Sequence, residues 1–174
     1  CLVGAMSVSA RRNAALTAAY QLSTSALAEY KEKVIETIGE KKEKVVHDKI
    51  AKSAVEKNPI DQSKVIITGK GKTQCFDVLS GRPFEGDCDR IVKAMNDLNY
   101  RMNTGNEMYI SLNEFYDEIG IPRLYPLGED IGWRVDKGLI DVYFSSVLLD
   151  DGTPCLTLEH LVPPEYGFNK LYGN

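Results

Sequence analysis

The sequence predicts an α+β fold: a long N-terminal α-helix followed by a small mixed ββαβαβββ domain. Three observations carry this expectation. A helical pattern without proline runs from Arg11 to Asn58, where Asn58-Pro59 ends it, because a residue before proline avoids the α region. After Pro59, short branched and aromatic runs alternate with two helical stretches. The 174 residues are 43% hydrophobic and 26% charged, a globular composition rather than a disordered one. The expected division is 1–58 for the helix and 59–174 for a compact domain with an irregular tail.

In the helix, Leu16, Tyr20, Leu27, Tyr30 and Val34 alternate spacings of four and three around Ser23, an a/d seam suited to a coiled coil or a partner helix. Val34, Ile38, Val45 and Ile50 continue a looser apolar stripe. Glu29 with Lys33 and Glu40 with Lys44 are favourable i,i+4 pairs on the wet face. An unbroken helix over this span is on the order of 70 Å long. That exceeds what the remaining domain can cover, so part of it meets another chain, a membrane or water. The stretch Cys1 to Met6 carries no charge and precedes Arg11 and Arg12. The expectation is a helix that continues from a membrane-spanning or buried apolar segment, with the domain on the cytoplasmic face by the positive-inside rule.

Beyond Pro59, Val65 to Ile67 reads as a strand, Gly69 to Lys72 as a hairpin turn, and Gln74 to Leu79 as the return strand. Ser80 to Pro83 reads as a loop. Asp87 is the expected N-cap of a helix from Cys88 to Met102, with Ile91, Met95, Leu98 and Met102 on one face. Met108 to Leu112 is a short strand. A helix carrying Phe115, Tyr116 and Ile119 follows and Gly120 closes it. Pro122 to Asp130 reads as a loop and Gly132 to Val135 as a strand. Leu139 to Leu149 and Pro154 to Leu161 form a hairpin about Asp150-Asp151-Gly152. The tail from Pro163 is expected on the surface.

Chemistry-bearing motifs are few. Gly71-Lys72-Thr73 lacks the upstream glycine of a phosphate loop, where Ile66 stands, and a strand rather than a helix follows it. Glu114, Asp117, Glu118, Glu129 and Asp130 read as a solvated acidic face without the calcium-loop pattern. Cys1, Cys75, Cys88 and Cys155 match no metal spacing; free thiols are the simpler reading, with a disulfide among the last three left open. Cys155 and His160 differ by an odd number in a strand and so point to opposite faces, which leaves a buried thiol and a surface histidine. A net charge of -4 gives no footprint for nucleic acid. No cofactor or metal is expected.

The run ISLNEFYDEIGIP from Ile110 to Pro122, GEDIGW from Gly128 to Trp133, and DGTP from Asp151 to Pro154 resemble an uncharacterised protein family of phages and mobile elements in Gram-positive bacteria. The resemblance extends to Ala10–Leu16 and Ile38–Lys42. In that family an apolar, membrane-spanning-like region precedes this point, and the resemblance implies no activity and no catalytic residues. The expectation is therefore a non-enzymatic, homo-oligomeric structural or assembly protein, virion-associated or tethered to the cytoplasmic face of the bacterial membrane. Its helix would mediate assembly, and Trp133, Tyr125 and Leu127 would form the partner surface. The alternative is a domain that binds or hydrolyses a nucleotide signal, in phage counter-defence, with Lys70, Lys72, Arg82 and Arg90 as anion contacts.

Overall fold

In a computed structural model of the chain, residues 44–105 and 107–170 are described. Residues 44–57 form helix α1, which ends where Asn58 Nδ2 donates to the Ala54 carbonyl at 3.1 Å, just before Pro59. The order then runs 3₁₀ turn (Gln62–Lys64), β1 (Ile66–Ile67), β2 (Thr73–Asp77), β3 (Arg82–Gly86) and α2 (Cys88–Asn103). It continues with β4 (Tyr109–Ser111), α3 (Leu112–Ile119), α4 (Leu127–Asp130), β5 (Ile131–Arg134), β6 (Val142–Leu148), β7 (Pro154–His160) and β8 (Glu165–Tyr166). The architecture is mixed α and β, with a five-stranded sheet ordered β1-β3-β2-β7-β6 and a three-stranded sheet ordered β4-β5-β8.

The larger sheet has an apolar layer on each face, because adjacent strand residues point opposite ways. On one face Cys75, Phe84 and Leu158 join Ile91 and Leu98 of α2, Phe115 and Tyr116 of α3, and Trp133 of the small sheet. On the other face Phe76, Val147 and Cys155 pack against Ala51 and Val55 of α1. The last turns of the N-terminal segment 1–58 thus belong to the same packed body as the sheet. The buried side of α1 is His47, Ala51 and Val55, an i,i+4 stripe, and Val45 of the expected apolar stripe is half exposed. The seam residues Leu16, Tyr20, Leu27, Tyr30 and Val34 lie outside the described residues.

Local chemistry sets the element ends. Asp87 accepts from the Asp89 amide to start α2. Ser111 and Glu114 form a reciprocal capping box on α3, and Gly120 closes it in the left-handed conformation at φ 88°.

Four expectations are corrected. The order expected after Pro59, ββαβαβββ, lacks β3, α4 and β8, and Leu127–Asp130, expected within a loop, forms α4. The segment Gly69–Lys72 is no hairpin turn: β1 pairs in parallel with β3, with Ile66 opposite Phe84. The chain crosses β3 to reach β2, and a Cβ on Gly71 would stand 2.3 Å from the Gly86 carbonyl carbon, so only glycine fits the crossing. The hairpin lies one turn later, between β2 and β3, where Gly81 at φ 68° bonds back to Asp77. The expected loop Ser80–Pro83 is therefore partly strand. The tail is also not wholly superficial: β8 pairs with β5, and Phe168 packs over Gly132, where a Cβ would meet its ring at 2.7 Å.

Candidate functional site

Strand order decides which backbone groups are left without a partner. The five-stranded sheet ends in β1 and β6, and the small sheet in β4 and β8. β1 and β8 have two residues and β4 three, too short to offer a ladder. β6 has seven residues, Val-Tyr-Phe-Ser-Ser-Val-Leu, with no charge and no proline. The Leu161 amide donates to Asp141 at 2.8 Å and the Leu149 amide to Thr153 at 2.9 Å, both in the register of the β6–β7 ladder. Odd-numbered residues of β6 therefore bond to β7, since hydrogen-bonded pairs alternate along an antiparallel ladder. Val142, Phe144, Ser146 and Leu148 direct their N–H and C=O groups away from β7. Among the described residues no strand pairs with that edge.

Beside this edge runs a groove of about 880 Å³ between α1 and the β6–β7 hairpin. Its lining mixes exposed apolar groups, Val45 (52%) and Leu148 (72%), with both signs of charge, Asp48, Lys49, Lys52 and Asp151 among them. α1 is held to the sheet by polar contacts as well as by Ala51 and Val55. His47 Nδ1 pairs with Glu159 Oε1 at 3.0 Å, and Ser145 Oγ donates to Asp48 at 2.8 Å.

The expected partner surface is mostly interior. Trp133 and Leu127 are buried; Tyr125 alone of the three is exposed. The Trp133 ring packs edge-on against Phe115, and its Nε1–H donates to the Val162 carbonyl at 2.7 Å, which ties the tail to β5. Leu127 is covered because Asn113, fully buried, bonds both the amide and the carbonyl of Leu124 and folds the 121–126 loop and α4 back over α3. A smaller cleft, about 240 Å³, opens over Trp133 between Arg134, Lys137, Tyr166 and Lys170.

The four expected anion contacts are not equivalent. The Lys70 ammonium donates to the Glu118 carbonyl at 2.7 Å, at the negative end of α3. Arg82 donates to Ser80 Oγ at 2.9 Å and to the Pro122 carbonyl at 2.7 Å, and its guanidinium lies 5.0 Å from the Tyr116 ring centroid. Lys72 and Arg90 are exposed. The acidic face is bridged by arginines: Arg123 pairs with Asp117 and Glu129, and Arg101 with Glu107 and Glu114. Among the described residues no group of three or more His, Cys, Asp or Glu is arranged to hold a metal.

Among the described residues Cys75, Cys88 and Cys155 form no disulfide. Cys75 stands opposite Leu156 in the β2–β7 register, so the preceding residue, Cys155, faces the other side of the sheet. Burial pushes Cys75 up to about 12 and Cys155 up to about 11, so both stay protonated at neutral pH. His160, expected on the surface, is instead buried against Phe115 and Trp133, each 5.2 Å away. It stands on the face opposite Cys155.

Sequence reading missed one polar cluster. Asp77, fully buried at the end of β2, accepts from Tyr116 Oη–H at 2.7 Å and from Ser80 Oγ–H at 2.5 Å. Among the described residues, its second oxygen and both ring nitrogens of His160 have no hydrogen-bond partner. The isolated acid between Phe76 and Val78 in an apolar run was the available signal.

Fold and site together define an α+β domain with a long open strand edge and a groove beside it. The chain belongs to the family described as a family of unknown function (DUF6353), which it matches over residues 1–169. No curated protein and no solved structure matches it. Among the described residues no helix is long and apolar enough to cross a membrane.

Proposed function

We propose that the domain is a non-enzymatic assembly module that takes a protein strand on the free edge of β6. One observation carries the reading: β6 is seven residues long and lacks charge and proline. Exposed edges ordinarily carry charges, prolines or bulges that prevent pairing, and a long edge without them is suited to accept another strand. The groove beside it supplies apolar and charged side chains for specificity. Lys70 and Arg82, two of the four anion contacts of the nucleotide alternative, already serve main-chain carbonyls, which favours the assembly reading. The phage-borne or membrane-tethered setting implied by the sequence resemblance suits such a module.

The test is Ser146→Pro in the full-length protein in its natural host. Ser146 directs its amide outward, so proline removes an edge donor without touching the β6–β7 ladder. The reading expects the variant to fold and to drop out of the native assembly, measured as the mass and composition of the complex. Recovery of the same complex with the variant in it would overturn the reading.

A further inference from the structure

We infer that the strand taken on the β6 edge is β6 of a second copy of this chain, paired antiparallel about a two-fold axis at Ser145. This rests on the assembly reading above and names its partner. The argument begins from parity. The outward-facing groups belong to the even-numbered residues, so hydrogen-bonded pairs across the new junction must join even to even. An axis at Ser145 does this for all four: Val142 faces Leu148 and Phe144 faces Ser146, each twice. At two bonds per pair, about eight backbone hydrogen bonds form. An axis at Phe144 or Ser146 leaves some of the four without an opposite number inside the strand.

Side chains favour the same partner. In a two-fold pair a charge close to the axis meets its own copy, and like charges placed across strands destabilise them. β6 has none to repel. Phe144 opposite Ser146 and Val142 opposite Leu148 combine strand-forming residues with a small one, which gives the aromatic ring room. The result is one ten-stranded sheet across two chains, since each contributes five strands.

The experiment uses purified full-length protein, with native mass measured by light scattering across concentration and cross-linking read on non-reducing gels. Opposite Ser145 residues form a non-hydrogen-bonded pair with Cα atoms about 4.5 Å apart, within disulfide range. The inference expects a wild-type dimer, a monomeric Ser146→Pro variant, and a covalent dimer of Ser145→Cys on mild oxidation. A wild-type chain that stays monomeric at every concentration overturns it. So does a dimer that survives Ser146→Pro, or one in which Ser145→Cys does not cross-link. If the chain is monomeric alone yet Ser146→Pro removes it from the host complex, the partner is another protein. In that case the second-copy inference has failed and the assembly reading stands.

Discussion

Asp77 is a carboxylate with no exposed surface, and two hydroxyl donors account for one of its oxygens. Tyr116→Phe keeps the ring and removes the donor at 2.7 Å. Removing one partner from a buried hydrogen bond costs about 1–3 kcal/mol, so the variant should unfold in urea with a loss of that size. His160 sits nearby in the same layer, and burial holds it down at about 4 from 6.5, with Asp77 opposing that shift. Between these values the unfolded chain takes up a proton that the native imidazole refuses. Stability is therefore complete above about pH 6.5 and falls as pH drops toward 4, by on the order of 3 kcal/mol. His160→Leu should flatten that part of the profile, measured as urea midpoints at several pH values between 7 and 4. An unchanged slope would show that the acid sensitivity lies elsewhere.

Among the elements, those whose patterns are local were legible in the sequence. α2 and α3 were readable because caps and apolar spacing agree: Asp87 starts one, Gly120 ends the other. The β6–β7 hairpin was readable from its branched residues and Asp-Asp-Gly turn. What failed depends on contacts distant in sequence. Pro83 and Gly81 look like a loop, yet β3 lies between β1 and β2, and Gly71 passes against Gly86 to allow it. The fate of α1 was also hidden. A buried face made of His47, Ala51 and Val55 is only partly apolar, and the histidine belongs there because Glu159, far along the chain, meets it. Trp133 and Leu127 were expected in a partner surface, but the 121–131 stretch is rich in apolar residues, and Asn113, bonded to the Leu124 backbone, folds it over an apolar floor. Ala51, with no exposed surface, is the closest fit in the α1 docking face. Ala51→Asp would bury a carboxylate against Phe76 and Val147 and should destabilise the domain by several kcal/mol, or release α1 with rapid exchange of its amides. Denaturation with residue-resolved exchange separates the two outcomes, and wild-type behaviour in both would contradict the packing.

At the scale of the molecule, the five-stranded sheet is, among the described residues, closed on both faces and open along one side. α1 covers one face, α2, α3 and the small sheet cover the other, and β1 is too short to extend. The open side is β6, whose lack of charge was visible in the sequence and whose edge position was not, because it follows from the parallel pairing of β2 with β7. Assembly through this edge is the central claim, and amide exchange along β6 tests it most directly. The four outward amides, Val142, Phe144, Ser146 and Leu148, are compared with the inward amides of Tyr143, Ser145 and Val147 at increasing protein concentration. The account predicts outward amides that exchange fast in dilute protein and become protected as concentration rises, while the inward ones are protected throughout. Outward amides that exchange fast at every concentration, in the purified chain and in the complex isolated from its host, would contradict it.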